Sequence, residues 1–182
     1  MVDAENSRRP ADPERDGNLQ SLLESNHESA HGWALHCCAS DPGDAADVLQ
    51  SAYQKILQGS ARYTGTSSFR TWLFAVIRNT AADERRKRWV RTLRLEKYSR
   101  EREDDPRQTE AAEQLEGTER AGILRDALAK LPGRQREVLH LVFYQELTIE
   151  AAAGVMHVSI GSARTHYARG KQRLLALLKS LP

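Results

Sequence analysis

Apolar positions recur along this chain with a helical beat. Phe69, Trp72, Leu73, Val76, Ile77 and Thr80 fall at i, i+3, i+4, i+7, i+8 and i+11, the spacing that lines one face of an α-helix and buries it in a core. Upstream, Val48, Leu49, Ala52, Tyr53, Ile56 and Leu57 keep to one face in the same way. Asp41-Pro42-Gly43-Asp44 precedes them. Asp41 suits an N-cap, Pro42 the first helical position, and Asp44 the positive end of the helix dipole. Gly59 closes that helix, GSARYTGTSS (59–68) reads as a loop, and Ser67 or Ser68 can cap the helix that follows. No stretch of period-two alternation and no internal repeat breaks this pattern. The expected fold class is therefore all-α: two small helical domains joined by a flexible linker.

The C-terminal stretch parses as four helices. The first runs to about Leu131 and stops at Pro132-Gly133; the second carries Val138, Leu139, Leu141, Val142 and Phe143. Thr148 caps a short third helix, whose Ala151, Ala152 and Ala153 allow a neighbour to come close. His157-Val158 makes a turn and Ser159 caps the last helix. There Ile160, Ala163, Tyr167, Gly170, Leu174 and Leu177 are expected to face inward. Gly161, Thr165, Ala168 and Gln172 face outward, flanked by Ser162, Arg164 and Arg169. A short helix, a tight turn and a second helix with a polar, basic outer face form a helix-turn-helix. The second helix of such a unit fits the major groove of duplex DNA.

Charge sharpens the picture. The net charge of +2 hides three blocks. Arg85 to Arg94 holds six basic residues and no acidic one, Arg100 to Arg120 eight acidic against four basic, and Ile160 to Lys179 five basic and no acidic. Two basic blocks around an acidic spacer suit two separate contacts with a polyanion. Residues 99–120, poor in large apolar side chains and broken by Pro106 and Gly117, read as the linker. Residues 1–18 read as a disordered tail without the apolar core of a signal peptide. No window approaches the roughly 18 apolar residues that span a bilayer.

The side of the 69–80 helix opposite its apolar stripe carries Arg70, Phe74, Arg78 and Asn79. Arginines neutralise phosphates, an aromatic can stack on an unpaired base, and an asparagine amide can bond a base edge. A solvated face with one stray aromatic is the plainer alternative. In HESAHGWALHCC (27–38), His27, His31, Cys37 and Cys38 invite a metal or redox reading. On one straight helix His31 and Cys38 lie about 10 Å apart, whereas zinc holds its ligands at about 2.0–2.3 Å. Core thiols and surface histidines are the simpler reading, and no cofactor is called for.

DPGDAADVLQSAYQKIL, SSFRTWLFAVIRNTAADERRKR, LPGRQREVLHLVFYQELT and IEAAAGVMHVSIGSARTHYARGKQRL follow one another as in the extracytoplasmic-function group of bacterial sigma factors, which the chain resembles over roughly residues 19–98 and 120–180. The resemblance implies region 2 over 19–98, region 4 over 121–182, and a non-enzymatic, cytoplasmic initiation subunit of RNA polymerase. By the same resemblance Asp44, Asp47, Val48, Leu49 and Gln50 dock on the clamp helices of the polymerase β′ subunit. Arg70, Phe74, Arg78 and Asn79, followed by Arg85, Arg86 and Arg88, read and open the −10 element. Ser162, Arg164, Thr165 and Arg169 read the −35 element. Implied partners are the polymerase core, including the β flap, promoter DNA, and an anti-sigma factor, often held at the membrane. A metal- or redox-sensing regulator that binds operator DNA without polymerase is the alternative. The chain departs from the family at three places. His157 stands where many relatives have Gly, so another backbone conformation is expected at that turn. Ala163 and Ala168 occupy positions often filled by larger residues. Gly154 interrupts the third helix, where glycine costs up to about 1 kcal/mol relative to alanine.

Overall fold

The structure, a computed structural model, describes residues 13–98 and 119–179. Residues 99–118 of the proposed 99–120 linker and the first twelve residues of the proposed tail lie outside the described residues, while Glu119 and Arg120, assigned above to the linker, belong to the helix Glu119–Ala129. The N-terminal half contains α1 (Pro13–Ser25), α2 (His27–Cys37), α3 (Pro42–Leu57) and α4 (Phe69–Tyr98). The C-terminal half contains α5 (Glu119–Ala129), α6 (Gly133–Phe143), α7 (Ile149–Met156) and α8 (Ile160–Lys179). The described residues are thus helical, as the apolar periodicity requires. Residues 13–18, assigned above to a tail, belong instead to α1. Proline at a first helical position explains the start, because its fixed φ suits the helix and its missing N–H is one that no helical carbonyl would accept.

The local signals sit where chemistry puts them. Asp41 Oδ1 accepts from the Asp44 N–H at 2.9 Å, Ser68 Oγ from the Thr71 N–H at 3.2 Å, Thr148 Oγ1 from the Ala151 N–H at 3.1 Å and Ser159 Oγ from the Ser162 N–H at 3.1 Å. Each satisfies a backbone donor that the first turn of a helix leaves without a partner. Phe69, Leu73, Ile77 and Thr80 are buried, with Trp72 and Val76 half-buried beside them. Phe74 departs from expectation: it has no exposed surface, so it cannot stack on a base. The reason is that both faces of α4 are covered. α2 and α3 pack on one side of it and α7 on another. One apolar core runs through both halves, joining Trp33, Val48, Leu49, Leu73, Phe74 and Ile77 to Val138, Leu141, Val155 and Met156.

Within the C-terminal half, α8 lies across α6 and α7. Ala163 and Gly170 are buried as expected, whereas Ile160, the first residue of α8 and expected inward, keeps 44% of its surface exposed. At Gly170 a Cβ would stand 3.2 Å from Leu139 Cδ1 and 3.3 Å from Gln135 Cβ. At Gly154 the nearest atom, Thr71 Cγ2, is 3.7 Å away. The two glycines should therefore respond oppositely to alanine. Gly170→Ala overpacks the α6–α8 contact and should lower stability by about 1–2 kcal/mol, the strain exceeding the gain in helix propensity. Gly154→Ala fills ordinary contact space and should raise it by up to about 1 kcal/mol. Urea unfolding followed by circular dichroism measures both. Equal shifts would mean that Leu139 gives way freely.

Candidate nucleic-acid interface

The polar edge of α4 is built by register. Arg70, Phe74 and Arg78 lie one helical turn apart, with Asn79 next to the last. Phe74 has gone inward, stacked on Trp33 at 5.9 Å between ring centroids, and the Arg70 guanidinium lies 5.4 Å from the Phe74 ring centre. Arg70 Nη2 donates to Gln145 Oε1 at 3.1 Å, and Gln145 Nε2 stands 3.3 Å from His140 Nε2. Arg78 Nε donates to Glu137 Oε1 in an ion pair, and Arg134 Nη1 reaches the other oxygen of that carboxylate at 3.2 Å. Asn79 Nδ2 donates to His157 Nε2 at 3.2 Å. Three proposed −10 residues are thus occupied by side chains of the C-terminal half.

Further along α4 the edge becomes open and basic. Arg85, Arg86 and Arg88 are exposed, and Arg86 is tied to Asp83 at 3.0 Å. Arg88 grips Asp44 through both guanidinium nitrogens, with the Nη2–Oδ1 contact at 2.8 Å. Asp44 holds the Arg88 guanidinium still further above its usual range, chiefly through that hydrogen bond. A proposed docking residue and a proposed DNA residue are therefore partners.

The docking set divides. Asp47 and Gln50 are exposed on α3, whereas Val48 and Leu49 are buried at 2% and 5%. Val48 faces the core of the N-terminal half, whereas Leu49, also packed in that core, still lines the shallow groove between α2 and α3. Their docking role came from the resemblance, while the apolar periodicity of α3 already placed both on its core face. Leu57 is 66% exposed at the end of the groove, which α3 forms with His27 and His31 of α2. His27 Nδ1 lies 3.2 Å from the Tyr53 hydroxyl at its edge.

The −35 set stands together on the outer face of α8. Ser162, Arg164, Thr165 and Arg169 are all exposed. Arg164 Nη2 donates to Glu150 Oε1 of α7 at 2.9 Å, and Thr165 Oγ1 to the Gly161 carbonyl at 2.9 Å. The Arg164 contact, together with hydrogen bonds at the N-terminus of α7, holds the Glu150 carboxyl below its usual range. The turn before α8 overturns one expectation. His157 adopts the left-handed conformation, with φ 52° and ψ 49°, which costs a residue other than glycine roughly 1–2 kcal/mol. The Schellman-like contacts of this turn, from the His157 and Val158 N–H groups back to Gly154 and Ala153, require that geometry whichever residue stands there.

Both thiols are free, and their surroundings oppose ionisation. Burial first, and the Glu137 carboxylate second, push the Cys37 thiol far above its usual range, and burial raises Cys38 as well. The thiolate is the form that binds metals and attacks disulfides, so both effects disfavour that reaction. The sequence gives no sign of the contacts that Glu137, Gln145 and His157 make with α4. Those three meet partners 59 to 78 positions away, and His140 meets Trp33 and His36 of α2; no local periodicity marks such contacts.

Comparison with known proteins follows the same division of the chain. The description "Sigma-70 region 2" matches residues 22–91 and "Sigma-70, region 4" residues 121–174. The chain is 31% identical over 137 residues to the RNA polymerase sigma-E factor of Streptomyces antibioticus, covering 74% of this chain and 70% of that one. It is 29% identical over 167 residues to the ECF RNA polymerase sigma factor SigC of Mycobacterium tuberculosis, covering 87% and 82%. Its fold resembles the sigma factor RpoE of Bartonella quintana, solved with the anti-sigma factor NepR, at 22% identity and a TM-score of 0.67, over 91% of this chain and 99% of that one.

Proposed function

The chain belongs to the sigma-70 family of RNA polymerase sigma factors, in its extracytoplasmic-function group, and on that premise we propose how its residues divide the work. Residues 19–98 act as region 2 and residues 121–179 as region 4. The α2–α3 groove and the exposed Asp47 and Gln50 dock on the β′ clamp helices of core polymerase. The polar edge of α4, centred on Arg70, Arg78 and Asn79, holds non-template bases of the −10 element, with Arg85, Arg86 and Arg88 along the adjoining phosphates. The outer face of α8 reads the −35 element through Ser162, Arg164, Thr165 and Arg169, and the β flap meets region 4. Promoter choice and strand opening are this subunit's part; polymerase makes the bonds. An anti-sigma factor would complete the control, as a fold shared with an anti-sigma-bound sigma factor suggests. Among the described residues, no helix is long and apolar enough to cross a membrane.

The observation that carries this reading is the pairing, on one chain, of a doubly capped helix-turn-helix with a long helix whose polar edge ends in four consecutive basic residues. Run-off transcription with core polymerase tests it. Asn79→Ala should impair opening and relax preference at one −10 base, since a base-edge contact is worth about 1–3 kcal/mol of discrimination. Arg169→Ala should weaken the closed complex and reduce its salt dependence by about one phosphate's share. A template mismatched across the −10 region should largely rescue opening by Asn79→Ala and do less for Arg169→Ala. If both variants respond alike on that template, the division between reading and gripping is wrong.

A further inference from the structure

We propose that Glu150 is a positioning residue for the −35 contact, holding the Arg164 guanidinium on the edge of a guanine and away from the neighbouring phosphates. The inference rests on the reading of α8 as the −35 surface. It starts from a charge of the wrong sign. Ile160 to Lys179 holds five basic residues and no acidic one. A carboxylate from α7 nevertheless stands at this face, with Arg164 Nη2 at 2.9 Å from Glu150 Oε1. The two side chains keep 66% and 51% of their surface exposed. An exposed pair of this kind adds little to stability, and a carboxylate beside DNA opposes the phosphate contacts near it. What the pair can supply is orientation.

An arginine beside duplex DNA has two destinations. A phosphate positions the protein and carries no sequence. The O6 and N7 of guanine, in the major groove, accept two guanidinium donors at once. A long side chain on a basic surface goes to the nearest phosphate unless its head is fixed. Glu150 fixes it from a rigid base. It lies in the first turn of α7, behind the Thr148 cap, where unpaired N–H groups favour negative charge. Its own backbone N–H first, and Arg164 second, hold its carboxyl below the usual range, so it stays ionised at neutral pH. Arg164 stands in the second turn of α8, near the helix end that reaches base edges in such units. The contact engages one hydrogen of Nη2 and leaves further donors of the guanidinium for the base.

The neighbouring hydroxyls are restrained too. Ser159 Oγ donates to Ser162 Oγ at 2.9 Å, and Thr165 Oγ1 to the Gly161 carbonyl at 2.9 Å. The reading face is thus ordered by contacts within the helix-turn-helix itself, and Glu150 supplies the one that fixes its arginine.

The test uses holoenzyme reconstituted from the full chain and core polymerase, with a pool of linear duplexes randomised across the promoter region. Duplexes held in closed complexes are sequenced, and affinity for the parent's best duplex is measured at a series of salt concentrations. The parent should enrich a G·C pair in its upstream element, and Arg164→Ala should lose that preference and no other. Glu150→Gln should lower enrichment of the same pair at least about fivefold, the lower end of what a bidentate base contact is worth. It should leave the other positions unchanged. It should also steepen the fall of affinity with salt by about one phosphate's share, because the released Arg164 takes a phosphate. A merely structural role has another signature: a loosened α7 would lower enrichment at every position together and flatten the salt dependence. That result overturns the proposal, as does unchanged enrichment in Glu150→Gln. Glu150→Asp keeps the charge in the first turn of α7 and shortens its reach. It should relax the same pair with the salt dependence unchanged, and it decides alone should the glutamine variant not fold. A parent that enriches no upstream element, or an Arg164→Ala variant with every preference intact, removes Arg164 as a reader, and the proposal falls with that reading.

Discussion

Trp33→Ala is expected to remove about 3–5 kcal/mol of stability, the range for truncating a large aromatic side chain in a core. A domain of this size is stable by only about 5–15 kcal/mol, so the variant should be partly unfolded at 37 °C. Trp33 has no exposed surface and does three things at once. Its indole N–H donates to the Phe74 carbonyl at 2.9 Å. Its ring stacks on Phe74 and on His36, the latter at 5.2 Å and nearly parallel. It also meets His140 of α6 at 5.4 Å. Alanine would leave a cavity at the point where α2, α4 and α6 converge, and one backbone carbonyl without its donor. Trp89, 64% exposed on α4, supplies the comparison: Trp89→Ala should shift stability by no more than about 0.5 kcal/mol. Urea unfolding followed by circular dichroism distinguishes them. A loss below about 1 kcal/mol for Trp33→Ala would mean that the two halves do not share a core through this residue.

The contrast between Trp33 and Phe74 shows how far the sequence could be read. Asp41, Ser68, Thr148 and Ser159 announce their helices because a cap needs only a donor three residues away. The stripe from Phe69 to Thr80 is legible because helical period alone sets it. Phe74 falls outside that stripe, and it is buried only because α2 packs beside α4 and a second half of the molecule lies over it. Val48, 2% exposed, departs in the opposite direction. Its apolar character is visible, but only the packed structure distinguishes it from Leu49, which also lines the α2–α3 groove. Glu137, Gln145 and His157 carry ordinary surface chemistry in sequence, and acquire meaning only from partners in the other half. What chain-local physics dictates is legible; what arises where two separate helical units meet is not.

Lowering the pH from 7.5 to 5.5 should destabilise the folded chain well before its carboxylates titrate. His36 on α2 and His140 on α6 face each other across the interface with ring centroids 4.1 Å apart. Burial, then His140 and Arg136, push the His36 imidazole down to about 3, and burial pushes His140 down to about 4, both from 6.5. The other groups around the pair are the Trp33 and Tyr144 rings and the Gln145 amide. Gln145 cannot reverse to serve a protonated His140, because its Oε1 already accepts from Arg70 and its Nε2 needs an unprotonated ring nitrogen. The sign follows. At pH 7.5 the imidazoles are neutral whether the halves are packed or exposed, and the full stability is present. Below 6.5 the exposed imidazoles take up protons that the packed ones refuse, so stability falls as pH falls, until the packed pair itself titrates near 3 to 4. Between pH 7.5 and 5.5 each histidine should cost about 1.4 kcal/mol. The loss for the pair, read from urea unfolding at a series of pH values, should therefore approach about 3 kcal/mol. Replacing both, His36→Phe with His140→Phe, should flatten that slope whatever it does to absolute stability. A slope unchanged in the double variant would place the titration elsewhere and remove these histidines from the interface energetics. Because Gln145 joins His140 to Arg70, the same acid shift should also loosen the −10 edge.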